Sequence, residues 1–130
     1  MPEKAVILVI DDEADVLRYL SVVLMDEGYE VLNAKNNAEA LDILNSQIPD
    51  LICLDIMMPH ESGFNLYRKL KTDEKFSRIP ALIVSAVEKE KDFNFRDYIE
   101  DENIPSPSGY VEKPIVVDHF LSAVKNALKP

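Results

Sequence analysis

Along the chain, short unbroken apolar runs alternate with stretches in which apolar residues recur at helical spacing. The runs are Ala5 to Ile10, Leu51 to Leu54 and Ala81 to Val84. Aliphatic runs with no polar interruption suit strands covered on both faces, which predicts a parallel sheet between helix layers. Glu30-Val31-Leu32-Asn33-Ala34 is more polar and reads as an edge strand, and Tyr110-Val111-Glu112 as the fifth strand.

Between the runs, Val16, Leu20, Val23 and Leu24 form the stripe of an amphipathic helix, with Gly28 at its C′ position. Leu41, Leu44 and Ile48 predict a second helix, and Phe64, Tyr67 and Leu70 after Gly63 a third. Val117, Phe120, Leu121, Val124 and Leu128 predict one at the carboxyl end. Phe93, Phe95, Tyr98 and Ile99 predict a short fourth helix between Ser85 and Lys113. The stretch Ile104-Pro105-Ser106-Pro107-Ser108-Gly109 that follows cannot be helical, because its prolines lack the N–H a helix needs. Strand and helix alternate, so the fold expected is α/β, built of right-handed βαβ units into a doubly wound sheet with five helices.

With 130 residues, 47% of them hydrophobic, the chain is expected to form one domain, residues 1–130, whose core needs neither disulfide nor structural metal. The single cysteine, Cys53, lies inside an apolar run, reads as a small buried hydrophobe and favours a reducing cytoplasm. Fourteen Lys and Arg against 24 Asp and Glu leave a net charge of −10, which opposes direct binding to nucleic-acid phosphates. No apolar run approaches the ~20 residues of a membrane span, and the start of the chain lacks a signal peptide's long apolar region. A soluble, unprocessed chain without membrane insertion is expected.

In an open α/β sheet, ligands bind outside the carboxyl ends of the strands, so the residues just after each apolar run are the informative ones. Here they are Asp11-Asp12, Asp55, Ser85 and Lys113-Pro114. Singly, each has an ordinary explanation: Asp11 or Asp12 could cap the first helix, Asp55 could be a solvated loop acid, Ser85 a turn former and Lys113 a surface lysine. Together, three carboxylates at one rim would repel one another and raise their pKa values unless a cation neutralises them. Carboxylates with no His or Cys nearby suit a hard octahedral ion such as Mg²⁺, completed by phosphate oxygen. With Lys113 as a positive point charge and Ser85 as a hydroxyl donor, this is equipment for phosphoryl transfer.

Asp11-Asp12-Glu13 after an apolar strand, Leu54-Asp55-Ile56-Met57-Met58-Pro59 with Ser62-Gly63-Phe64, then Ser85-Ala86 and Glu112-Lys113-Pro114 together resemble the receiver domain of bacterial two-component response regulators. The resemblance runs over residues 4 to 129. It implies a flavodoxin-like sheet of strand order 2-1-3-4-5 and a stand-alone regulator of the chemotaxis type. It implies Asp55 as phosphoacceptor, charged by the phosphohistidine of a sensor histidine kinase or a histidine phosphotransfer protein. Mg²⁺, with Mn²⁺ as substitute, would be held by Asp12, Asp55 and the backbone carbonyl of Met57, and by Asp11 through water. Lys113 would pair with the carboxylate and then the phosphoryl group, across a cis bond to Pro114. Ser85 would turn toward the phosphoryl oxygen, Tyr110 would swing inward behind it, and small Ala86 would leave the site open. Beyond its own phosphorylation and dephosphorylation no enzymatic activity is implied. A downstream protein target is expected but unspecified, and a phosphorylation-dependent homodimer stays open.

Two departures from the family pattern stand out. Met57 and Val87, two residues after Asp55 and Ser85, are apolar where fast-hydrolysing relatives carry polar side chains, so a long-lived phosphoryl group is expected. The segment Glu88 to Gly109 is longer than usual and lacks a Gly-Ala pair, which makes carry-over of a partner or dimer mode unsafe. Three rivals compete. A haloacid-dehalogenase-type phosphohydrolase would need a second aspartate where Met57 stands, and its nucleophile after the first strand. A flavin-binding protein would need a Ser/Thr/Gly-rich loop where Asp11-Asp12-Glu13 would repel phosphate. A phosphorylation-independent receiver-fold module is the alternative that keeps the fold. No linker or second domain follows Pro130 in this sequence, so output is expected from a protein partner, or the chain is a piece of a longer regulator.

Overall fold

A computed structural model describes residues 4–58, 61–86, 96 and 99–129. The central sheet has five parallel strands, β1 (Val6–Ile10), β2 (Glu30–Ala34), β3 (Leu51–Leu54), β6 (Ala81–Ser85) and β7 (Gly109–Glu112), in the order β2-β1-β3-β6-β7. Numbered along the chain, these five strands run 2-1-3-4-5, the expected doubly wound order. A separate antiparallel hairpin, β4 (Met57–Met58) with β5 (Glu61–Ser62), was not foreseen. Strands of two residues carry no readable period.

Helices α1 (Ala14–Asp26), α2 (Asn37–Ser46), α3 (Gly63–Lys71) and α4 (Val117–Leu128) are the four among the described residues. The short fourth helix expected around Phe93, Phe95 and Tyr98 falls outside the described residues. Its last predicted residue, Ile99, is described and fully buried, and residues 99–108 form neither helix nor strand, as the prolines require. No described helix is long and apolar enough to cross a membrane.

The sheet separates two cores. On one face Leu20 and Leu24 of α1 and Phe120 and Val124 of α4 pack on Ile7, Val9, Leu51, Cys53, Leu82 and Val84. On the other, Ala40 and Leu44 of α2 and Phe64, Leu66, Tyr67 and Leu70 of α3 meet Leu8, Ile10, Ile52, Leu54 and Ile83, with Phe76, Ile79, Ile99 and Ile104 from irregular segments. Alternate residues of one strand thus serve opposite faces, the period of two that a pleated strand imposes. Gly28 sits at C′ of α1 with φ +94, the left-handed conformation a helix stop favours. One helix prediction overshoots: α2 ends at Ser46, and Ile48, next to Pro49, lies outside it and is 53% exposed. A residue before proline is pushed away from helical backbone, which explains the early stop.

Candidate functional site

Strand register brings the predicted residues together. Ile10 of β1 pairs with Leu54 of β3, so Asp11 and Asp55 leave the sheet side by side. The Asp55 N–H donates to the Ile10 carbonyl at 2.9 Å, and the Asp11 N–H to the Ala34 carbonyl at 3.1 Å, fixing both backbones to the strand ends. Ser85 pairs with Glu112 as the last residue of β6, so Lys113 emerges one step beyond it, and its N–H donates to the Ser85 carbonyl at 3.2 Å. The Lys113–Pro114 bond is cis, as the resemblance implies.

The Lys113 ammonium donates to Asp11 Oδ2 at 2.7 Å and to Asp55 Oδ2 at 3.1 Å, and Glu13 Oε1 lies 3.8 Å away. Asp11 and Asp55 are buried, Asp12 half-buried. Carboxylate oxygens of Asp11, Asp12 and Asp55 all lie within 4.8 Å of one another. The hydroxyl of Ser85, itself buried, has no hydrogen-bond partner among the described residues. A buried polar atom without a partner costs free energy, so this hydroxyl is poised to bond an incoming group. Ala86 is exposed at the rim.

The electrostatics refine the expectation of mutual repulsion. The Asp11 pKa is raised, chiefly by burial, and the charge of Asp55 is a smaller contributor that the hydrogen bond from Lys113 opposes. Burial works to lower the Lys113 pKa, but the hydrogen bonds and charges of Asp11 and Asp55 outweigh it and hold the pKa above its ordinary value. The ammonium therefore stays charged and is shared by both acids. Its shorter contact is to Asp11, where the sequence pointed to Asp55 first.

The capping alternative for the acids is corrected. Glu13, not Asp11 or Asp12, occupies the N-cap of α1, and it makes no side-chain cap bond. Asp11 Oδ1 instead accepts the Glu13 N–H at 3.0 Å, which orients the carboxylate from below. Met57 opens β4 beside the site. Val87, the other apolar departure, lies outside the described residues. Tyr110 is half-buried in β7, packed against the core that holds α3.

Two contributors were not recognised from sequence. Glu13 enters the sequence reading only as the last residue of the Asp11-Asp12-Glu13 motif, and nothing local signals its approach to Lys113. Gly63 had been read as part of a motif without a role. A Cβ there would lie 2.5 Å from the Asp55 carbonyl oxygen and 2.6 Å from the Ile56 Cα, so only glycine lets α3 start against the loop that follows β3. Ser62 then caps α3 by accepting the Phe64 N–H at 3.1 Å.

Comparison with known proteins gives a consistent answer. The family model described as the response regulator receiver domain matches residues 7–125. The polar-differentiation response regulator DivK of Brucella anthropi is 32% identical over 127 residues, 96% of either chain. Among solved structures, the chemotaxis protein CheY4 of Vibrio cholerae has a TM-score of 0.82 at 24% identity, covering 97% of this chain and 100% of its own, a likeness of fold. The signal receiver domain of a signal transduction histidine kinase from Syntrophus aciditrophicus has a TM-score of 0.78 at 27% identity, covering 95% of this chain and 89% of its own.

Proposed function

The chain belongs to the response regulator receiver family, and on that premise we propose that Asp55 is its phosphoacceptor, charged from the phosphohistidine of a sensor histidine kinase or a histidine phosphotransfer protein. A carboxylate oxygen of Asp55 attacks the phosphorus, the new O–P bond forms as the N–P bond breaks, and the freed imidazole nitrogen takes a proton from solvent. The observation that carries this reading is Asp55 at the end of the central strand β3, 3.1 Å from the Lys113 ammonium and flanked by two further carboxylates. Lys113, already shared between two acids, can follow the negative charge as it moves from the carboxylate to the phosphoryl oxygens. Ser85, whose buried hydroxyl lacks a partner among the described residues, donates to one of those oxygens.

The three clustered carboxylates form an all-oxygen donor set that fits a hard divalent cation. Asp12, Asp55 and the Met57 carbonyl would hold Mg²⁺ or Mn²⁺ directly and Asp11 would hold it through water. When bound, the ion supplies positive charge that offsets the phosphoryl oxygens. As Ser85 turns inward, Tyr110 follows into the space behind it and alters the surface offered to a downstream protein. We place the chain in the cytoplasm, where the buried free thiol of Cys53 stays reduced.

Intact mass after incubation with a small-molecule phosphodonor and Mg²⁺ tests the proposal. The native protein gains one phosphoryl group, whereas Asp55→Asn and a metal-free sample gain none. A native, folded protein that binds Mg²⁺ and gains nothing would instead favour a phosphorylation-independent interaction module. Followed over time without a phosphatase, the label should persist well beyond seconds, because neither Met57 nor Val87 can orient an attacking water.

A further inference from the structure

Tyr67, in the middle of α3, is fully buried, and its hydroxyl donates to the carbonyl of Pro105. Pro105 belongs to the irregular segment 99–108 that leads into β7. That segment is seated by Ile99 and Ile104, both buried, and by the Ser108 N–H on the Ala81 carbonyl at 2.8 Å. Arg96 closes its far end by donating to the Asp101 carbonyl at 2.8 Å. The first residue of the same helix, Gly63, sits so close to the acceptor loop that a Cβ there would lie 2.5 Å from the Asp55 carbonyl oxygen. A single rigid helix thus abuts the acceptor loop at one end and grips, at its centre, the segment that delivers Tyr110 and Lys113.

We propose that Tyr67 is a positioning residue that ties the segment 99–108 to α3 and thereby couples Tyr110 to events at Asp55. The inference rests on the phosphoacceptor reading above and adds the route by which Tyr110 is held. Burial raises the pKa of the Tyr67 hydroxyl and nearby Tyr110 raises it further, so the group stays a neutral donor and the two rings share one neighbourhood. The exposed Pro105-Ser106 stretch lies between two anchors, buried Ile104 and the Ser108 N–H on the Ala81 carbonyl, and the Tyr67 hydroxyl adds a bond to its own backbone that ties it to α3. Losing the hydroxyl frees the Pro105 carbonyl to solvent while a phenylalanine ring keeps the cavity filled.

The test compares the native chain with Tyr67→Phe by amide hydrogen exchange over residues 99–112, before and after charging with a small-molecule phosphodonor and Mg²⁺. Intact mass reports the phosphoryl group in parallel, and a thermal melt confirms that both proteins are folded. Before charging, exchange in 99–108 should be roughly fivefold to tenfold faster in Tyr67→Phe, the effect of one lost hydrogen bond on local opening. Both proteins should gain the phosphoryl group, but the phosphorylation-dependent change at 109–112 should be present only in the native chain. Equal exchange before charging, or an undiminished response at 109–112 in Tyr67→Phe, overturns the proposal. Failure of the native chain itself to gain mass would refute the Asp55 reading separately, while the exchange rates before charging would still decide whether Tyr67 holds the segment.

Discussion

On one face of the sheet, α1 and α4 are unbroken amphipathic helices, and the buried residues beneath them are apolar apart from Cys53. On the other, α2 and the nine-residue α3 leave space that residues 72–79 and 99–108 fill. A helix satisfies its own backbone, whereas irregular chain must find partners for each N–H and C=O. Side chains supply them here: Lys71 donates to the carbonyls of Ser77 at 3.2 Å and Ile79 at 2.6 Å, Asp73 accepts the Lys75 N–H at 2.8 Å and Asp101 the Asn103 N–H at 2.9 Å. Burial lowers the Lys71 pKa, the cost of placing an ammonium where those carbonyls can be reached. The helical face is therefore held mainly by packing, with Ser21 of α1 donating to Asn33 Oδ1 of β2 at 2.9 Å, and the irregular face by packing plus several directed bonds, and the irregular face is the one that touches the loop after β3.

The contrast predicts that the helical face carries stability without governing chemistry. Phe120→Ala should lower unfolding free energy by about 3–5 kcal/mol, the range for emptying a fully buried aromatic site. The folded fraction at low temperature should still accept a phosphoryl group at a native rate. Denaturant melts and mass kinetics check both, and a slowed reaction in the folded protein would erase the distinction between the faces.

Gly63→Ala tests the opposite face with one methyl group. Overpacking of this kind costs roughly 1–3 kcal/mol, and here the atoms that must move are backbone of Asp55 and Ile56. Phosphorylation should slow by about tenfold or more, because small misplacements of a reacting group are expensive. A large stability loss with an unchanged rate would show that α3 and the acceptor loop are not mechanically joined.

The smallest effect is alkaline and belongs to the helical face. Burial pushes the Cys53 thiol from 9.0 up to about 12, so above pH 9.0 the unfolded chain releases a proton that the folded chain keeps. Stability therefore falls as pH rises from 9.0 toward 12, by at most about 1.4 kcal/mol per pH unit from this group. Cys53→Ala should flatten the slope between pH 9 and 10, below the range where Tyr29 and Tyr67 add losses of the same sign. Lys71, lowered by burial, contributes with opposite sign in both proteins and cancels in their difference. Identical slopes would mean that the thiol is not shielded.

The same division explains what could be read from the residues alone. Leu51 to Leu54 matched β3 at both ends, and the stripes of α1 and α4 appeared as periodicity, since burial on a regular element repeats at a fixed spacing. Asp11, Asp55, Ser85 and Lys113 were legible because parallel strands bring their carboxyl ends to one rim. The hairpin at Met57 and the grip of Tyr67 on Pro105 were not, because two-residue strands have no period and a contact 38 positions apart exists only once the chain is folded. Ile48 was misplaced by following the stripe past the stop that Pro49 imposes.

Lys113 lies 102 positions from Asp11 and 58 from Asp55, and it reaches them from the outermost strand across β6. Until β7 docks, the acids that follow β1 and β3 face one another without Lys113, their cationic partner among the described residues. On a ribosome, residues 4–86 can already have been made while the centre still lacks its cation. The ion pairs that join the two sides of the sheet at this rim are therefore completed late in synthesis, with β7.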